Sequence, residues 1–368
     1  MKIPFYNVKR IYASHREEIL RITESVFSGG RVIEGKEVES LEDALKLLCN
    51  RKHAIALNSC TDALYFSLLA AGVGKGDEVI VPALTFVASA TPVVRTGAKV
   101  VFADTLPDGN IDLKDAAKKV SSKTKAIIPV HLYGKMLNPD DLKTFAQNNN
   151  VIIIEDAAQA LGSRYGKTPA GNTGLCSCFS FDPSKIIGAF GTGGAVLCDD
   201  DEIAEKIKSW RSQGKNNNSG LFDSPGYNSR LSSLQAALIS MQINDLEEII
   251  VKRNNIATEY NSHLKGLNLE LPEIPGKENI CNFHKYYIKT PLRNKLKDFL
   301  SEKGIESAVH YSYLLPEQPV FGNITETFHV AEKITQNALS LPIYPELSND
   351  ETNYICNSIK EFFNTQIK

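Results

Sequence analysis

The sequence predicts an α/β fold, with a large domain built on a mostly parallel sheet and a smaller C-terminal α+β domain. Three observations carry this expectation. Between residues 51 and 200, short Val- and Ile-rich runs alternate with segments of helical periodicity, the pattern of βαβ units. Runs such as Val151-Ile-Ile-Ile154 lack polar alternation, which fits strands covered on both faces. Pro272, Pro275 and Gly276 then break the pattern, and the remainder mixes strand and helix in a shorter unit. The expected domains are residues 1–250 and 251–368.

The elements follow in order. Val38, Leu41, Ala44, Leu45 and Leu48 recur at helical spacing, so residues 36–48 are expected to form an amphipathic helix. Strands are expected at 53–57, 78–81, 100–103, 126–130, 151–154 and 195–198, with helices at 61–71, 85–95 and 140–147 between them. Residues 211–225 are rich in Asn, Gly and Ser and read as a loop. One long helix is expected over 231–264, then a strand at 286–288 and helices at 296–303 and 350–363.

Composition narrows the function classes. The 368 residues are 42% hydrophobic, enough for a sizeable core. Lys and Arg total 41 against 43 for Asp and Glu, so no basic excess points to nucleic acid. Seven scattered cysteines do not form a disulfide framework, and Cys176 and Cys178 have no second pair to complete a zinc site; no metal is expected. The N-terminus has no apolar run of signal-peptide length and no stretch is long enough for a membrane span, so a cytoplasmic protein without a membrane partner is expected.

Three stretches carry chemistry. In Phe179-Ser-Phe-Asp-Pro-Ser-Lys185 a β-like run delivers one lysine, followed by glycines at 188, 191, 193 and 194. A lysine desolvated in a pocket has a lowered pKa and can form a Schiff base with an aldehyde; the plain alternative is a surface lysine before a Gly-rich turn. In the second stretch the run 151–154 leads through Glu155 to Asp156 and Gln159. An acid at the carboxyl end of a buried strand needs a partner, and open α/β sheets place ligands there. Pyridoxal 5′-phosphate (PLP) chemistry needs both a Schiff-base lysine and an acid at the pyridine nitrogen, which Lys185 and Asp156 would supply; a helix N-cap is the alternative for Asp156. The third stretch, Asn58-Ser-Cys60-Thr61, follows a strand and opens a helix, a natural phosphate site that plain capping would also explain.

Together with Pro82-Ala-Leu-Thr-Phe86-Val-Ala-Ser89, Pro129-Val-His131-Leu-Tyr-Gly134, Gly226-Tyr-Asn228-Ser-Arg230, Val309-His310-Tyr311 and Leu341-Pro-Ile-Tyr-Pro345, these stretches resemble the DegT-type sugar-nucleotide aminotransferases, a branch of the fold-type I PLP enzymes. The resemblance runs over nearly the whole chain. It implies PLP as cofactor and Lys185 as the catalytic, Schiff-base residue. Asp156 would face the pyridine nitrogen, Gln159 the ring hydroxyl, and Phe86 the ring itself. Cys60, Thr61 and Ser180 would hold the phosphate, with only a backbone contact carried over at Cys60, where the family commonly has glycine. Asn228 would reach the phosphate in the partner of a homodimer with shared active sites. His310 and Tyr311 would meet substrate, whereas His284 reads as structural.

The implied reaction moves an amino group from glutamate to a nucleotide-linked keto sugar. The motif around Lys185, with Ile-Ile-Gly-Ala-Phe-Gly and Thr192-Gly-Gly following, resembles members that aminate carbon 3 of a 3-keto-6-deoxy sugar more than those that aminate carbon 4 of a 4-keto-6-deoxy sugar. A nicotinamide-dependent dehydrogenase fails on spacing, because Val196 stands where a third glycine is required. A non-catalytic PLP-fold sensing or binding protein is the alternative of another class.

Overall fold

The computed structural model describes residues 1–216, 219–276 and 278–366. Its centre is a seven-stranded sheet. Its strands are β1 (His53–Leu57), β2 (Glu78–Pro82), β3 (Lys99–Ala103), β4 (Thr124–Ile127), β5 (Ile152–Asp156), β8 (Cys176–Ser180) and β9 (Gly194–Cys198). Two short strands, β6 (Arg164–Tyr165) and β7 (Thr168–Pro169), form a separate hairpin between β5 and β8. The spatial order is β1-β9-β8-β5-β4-β2-β3. Only β9 runs against its neighbours, pairing antiparallel with both β1 and β8. The other neighbouring pairs are parallel, so the predicted mostly parallel α/β sheet is what forms.

Burial explains the choice of residues. Strands β1, β2, β5 and β9 are almost continuously buried, and apolar side chains on both faces pack into separate clusters. On one face the helix Lys36–Cys49 buries Val38, Leu41, Leu45 and Cys49 against Ala54, Ala56, Ala195 and Leu197. Each fully buried aliphatic side chain there contributes about 1.5–3 kcal/mol. All seven cysteines are free and buried.

Two helix expectations are corrected. Residues 85–95 are not one helix: the chain is extended at Phe86, makes a 3₁₀ turn over Val87–Ser89, and only then forms the short helix Thr91–Arg95. Pro92 suits the first turn of a helix, where its missing N–H is not needed, and so marks a start. Residues 231–264 form two helices, Ser233–Asn244 and Leu246–Leu264, broken at Asp245 (φ −98°, ψ 4°). The second serves two cores. Leu246 and Ile250 pack with the sheet, whereas Ile256, Ala257, Tyr260 and Leu264 pack with the C-terminal unit.

That C-terminal unit carries the antiparallel pair β10 (Tyr286–Lys289) and β11 (Ala338–Leu341), with the helices Arg293–Glu302 and Asn349–Gln366. The N-terminus belongs to it as well: Ile3 is fully buried in its core and bridges to Ile305. The loop expected at 211–225 is irregular, with isolated bridges from Ser212 to Asn228 and from Lys215 to Phe222; its Asn217 and Asn218 lie outside the described residues. Among the described residues no helix is long and apolar enough to cross a membrane, and no His, Cys, Asp and Glu group is arranged to hold a metal ion.

Candidate active site

The carboxyl edge of the sheet gathers several strand ends. Asp156 closes β5 and Ser180 closes β8, while β1 runs out through Asn58 and Ser59 into the helix Cys60–Ala70. Because β9 is antiparallel, its first residue, Gly194, lies on this same edge beside Leu57 and Ser180. A cavity of about 520 Å³ opens here. Lys185, Asp156, Gln159, Cys60, Thr61, Phe86, Ser180, His310 and Tyr311 all line it.

Asp156 is only 3% exposed. Its Oδ2 accepts from Ser89 Oγ at 2.7 Å and its Oδ1 from the Ala158 N–H at 3.1 Å. No helix follows, so the carboxylate closes a turn and is not an N-cap. Burial pushes its pKa up, against the lowering effect of Ser89, Ala158 and Lys185. Among the described residues it has no ion-pair partner, so it is a buried acid that a cationic group in the cavity would stabilise.

Lys185 ends a tight turn: its N–H donates to the Asp182 carbonyl at 2.9 Å, and Asp182 Oδ1 accepts from the Ser184 N–H and hydroxyl. Gln242 Nε2 donates to the Gly188 carbonyl at 2.7 Å, tying the following segment to the helix Ser233–Asn244. Burial lowers the Lys185 pKa, although Cys60, Asp156 and Asp182 act the other way. That favours the neutral, nucleophilic amine.

Gln159 Oε1 accepts from the Tyr133 N–H at 2.8 Å and its Nε2 donates to Tyr311 Oη at 3.3 Å, so the amide is held at both ends. Phe86 is 53% exposed although it is apolar, which excludes an ordinary core role. Tyr311 lies beside it, with ring centroids 6.1 Å apart. His310 Nδ1 is 2.9 Å from Ser340 Oγ, and burial lowers its pKa to about 3, which keeps the imidazole neutral.

At the helix Cys60–Ala70, the Ser59 hydroxyl accepts from the Asp62 N–H at 3.2 Å. The first amides of a helix have no partner within it, and they carry the positive end of its dipole. Gly194 lies directly beneath this turn: an added Cβ would sit 2.3 Å from the Ser59 carbonyl carbon and 2.4 Å from the Cys60 nitrogen. Only glycine lets β9 approach so closely. Burial pushes the Cys60 thiol well up, so it brings no negative charge to the cradle.

Asn228 is the predicted residue that this cavity does not contain. It is exposed, and its Oδ1 accepts from Arg230 Nη2 at 3.2 Å. Next to it Ser229 Oγ donates to Asp62 Oδ2 at 2.8 Å, which anchors this loop to the first turn of the helix Cys60–Ala70. His131 sits behind the site, fully buried, with Nε2 2.8 Å from Glu155 Oε1. Glu155 also accepts from the Gly171 and Thr173 N–H groups and from Ser177 Oγ, a fully satisfied structural hub. Sequence reasoning missed Ser89, Thr192, Phe5, Tyr6 and Lys285 as cavity residues. Ser89 and Thr192 stood in quoted motifs; the others had no local signal.

These groups match the needs of PLP one by one. The cavity offers a glycine-backed helix N-terminus, an acid without a cation, an exposed aromatic face and an amine of lowered pKa. The profile of the DegT/DnrJ/EryC1/StrS aminotransferase family matches residues 13–360. The chain belongs to that family. It is therefore a PLP-dependent aminotransferase of the sugar-transaminase kind. The chain is 38% identical to a protein of Geobacillus stearothermophilus named pleiotropic regulatory protein, covering 99% of both chains. It is 34% identical to the dTDP-3-amino-3,4,6-trideoxy-alpha-D-glucose transaminase of Streptomyces venezuelae, over 98% of this chain and 96% of that one. The crystal structure of S. venezuelae DesV in complex with a ketimine intermediate superimposes with a TM-score of 0.94, at 33% identity and 98% coverage of both chains.

Proposed function

We propose that this aminotransferase moves the amino group of glutamate to carbon 3 of a nucleotide-linked 3-keto-6-deoxy sugar. The observation that carries the reading is the convergence of Lys185, Asp156 and the Gly194-backed helix N-terminus on one cavity. Support for carbon 3 comes from the motif around Lys185 and from the S. venezuelae relative, whose name specifies a 3-amino sugar. The same chemistry at carbon 4 is the second reading. It differs only in how the sugar ring is turned toward the same amine.

Bound PLP supplies an aldehyde that condenses with amines and a ring that draws electrons from the neighbouring carbon. In this reading Lys185 Nζ, made nucleophilic by burial, anchors the aldehyde. The free Lys185 Nζ would take a proton from the donor α-carbon and, in the second half of the reaction, give one to the sugar carbon. Asp156 would hold its negative charge at the ring nitrogen, with Ser89 and the Ala158 N–H orienting its two oxygens. Gln159 would face the ring hydroxyl, and Phe86 would lay its exposed face against the ring. Backbone amides at Cys60 and Thr61, with the Thr61 and Ser180 hydroxyls, would hold the phosphate. His310 and Tyr311 line the substrate side of the cavity.

The working unit in this reading is a homodimer with shared sites. Asn228 and Arg230 form an exposed, hydrogen-bonded pair on a loop anchored to the phosphate turn, suited to reach across to a partner's cofactor. The test is incubation of the PLP-loaded protein with glutamate and paired 3-keto and 4-keto nucleotide sugars, with the product read by mass spectrometry and proton NMR. An amine at carbon 3 is expected. An amine at carbon 4, with no turnover of the 3-keto isomer, would contradict the assignment.

A further inference from the structure

A second cavity, of about 440 Å³, shares a wall with the first. Phe5, Tyr6, Ser184, Lys185, His284 and Lys285 line both. Beyond that wall the second cavity extends toward Arg253 and the segment 343–346.

Lys285 is the unusual member of the wall. It is 9% exposed, and its Nζ has no carboxylate or hydrogen-bond acceptor among the described residues; its one recorded contact is with the Phe5 ring, 5.0 Å from the centroid. Burial, Arg253 and Lys185 all disfavour its protonated form, lowering its pKa to about 7, with Asp182 the opposing charge. A buried ammonium without an anion costs several kcal/mol, and an anionic ligand would remove that cost.

Further polar groups stand around the rest of this largely apolar cavity. His284, Tyr344 and Glu346 line it, and their Nδ1, Oη and Oε2 atoms are each buried without a hydrogen-bond partner. Buried polar atoms of a native protein are normally paired, so unpaired ones on residues around a cavity point to a ligand or its water there. The backbone here is rigidly set, because Arg253 donates from Nε and Nη2 to the carbonyls of Asn282, Phe283 and His284. Lys285 therefore projects from a fixed base.

We propose that this second cavity binds the carboxylate of the amino donor, with Lys285 as its pairing cation and specificity residue. The inference rests on the proposed transamination and adds the position of its donor. Two features favour a small amino acid over the pyrophosphate of a sugar nucleotide, the other oxyanion available. Asp245, Glu248 and Glu346 stand in the same cavity as the cations, a mixed lining that suits a zwitterion and repels a polyanion. The cavity also meets the first one at Lys185, so a donor held by its carboxylate presents its amine toward the reacting lysine.

The test uses the full-length PLP-loaded protein and titrates it calorimetrically with glutarate, a dicarboxylate without an amine, and separately with dTDP. Lys285→Gln is expected to weaken glutarate by about tenfold or more, as for loss of a charge-assisted contact, while dTDP changes by less than about twofold. Lys285→Arg should restore most of the glutarate affinity, and Tyr344→Phe should weaken it without removing the lysine. In steady state, Lys285→Gln should raise KM for glutamate and leave KM for the sugar nucleotide unchanged. Unchanged glutarate affinity, an equal loss for dTDP, or no glutarate binding by the wild type would each overturn the proposal. A wild type that binds glutarate through Lys285 but aminates no keto sugar would instead overturn the transamination reading and leave the carboxylate site standing.

Discussion

Ser89 Oγ donates to Asp156 Oδ2 at 2.7 Å, and Thr85 Oγ1 lies 3.1 Å from the same hydroxyl. The carboxylate proposed to face the cofactor is thus fixed by a short polar chain from the loop after β2. Ser89→Ala removes one of its two recorded donors. A hydrogen bond to a charged acceptor contributes about 1.5–3 kcal/mol, so kcat is expected to fall about tenfold or more. The melting temperature should shift little. A variant with unchanged kcat would show that this bond does not orient Asp156 for the reaction.

Asp156 itself should act through charge. Asp156→Asn keeps the shape but cannot balance a protonated ring nitrogen, so the rate should fall far more than stability. Activity within about threefold of the wild type, less than about 1 kcal/mol of barrier, would count against the role.

Much of this was legible before folding was considered. Residues 54–57, 151–154 and 195–198 are apolar without alternation because they are covered on both sides, and that pattern marks strands. Asp156, Ser180 and Cys60 then follow as residues at strand ends. The break at Asp245 was hidden because no Gly or Pro marks it, and apolar periodicity continues while the helices change cores. Phe5, Tyr6 and Lys285 were not legible for a different reason. They reach the cavity only because Ile3 docks beside Ile305 and β10 pairs with β11, contacts between distant parts of the chain.

The N-terminal segment offers a stability test. Arg10 donates from Nη1 to Glu351 Oε2 at 2.8 Å, from Nη2 to Oε1 at 2.5 Å, and also to the Glu346 carbonyl. The Arg10 side chain, outweighing burial, holds the Glu351 pKa at about 2, below its ordinary 4.5. A carboxylate with a depressed folded pKa contributes stability that is present above 4.5 and is lost as pH falls toward 2. Arg10→Ala should therefore destabilise the protein at pH 7 by about 1–3 kcal/mol, with a smaller difference below pH 4. Denaturant melts at both values test this; an undiminished difference at low pH would contradict it.

Shared active sites make a separate prediction. Lys185→Ala and Asn228→Ala subunits, each inactive alone, should regain activity when mixed and refolded, because a hybrid dimer holds one site with neither substitution. No recovery in mixtures shown by mass spectrometry to contain hybrids would argue for sites built within single subunits.

The central claim is that Lys185 is the residue that bonds the cofactor. Borohydride reduction of the PLP-loaded wild type, followed by digestion and peptide mass spectrometry, tests it most directly. The account predicts a phosphopyridoxyl group on Lys185 and its absence from Lys185→Ala, with Lys285 unmodified in both. Modification of Lys285 in place of Lys185, or an unmodified Lys185 in an enzyme that still transaminates, would contradict it.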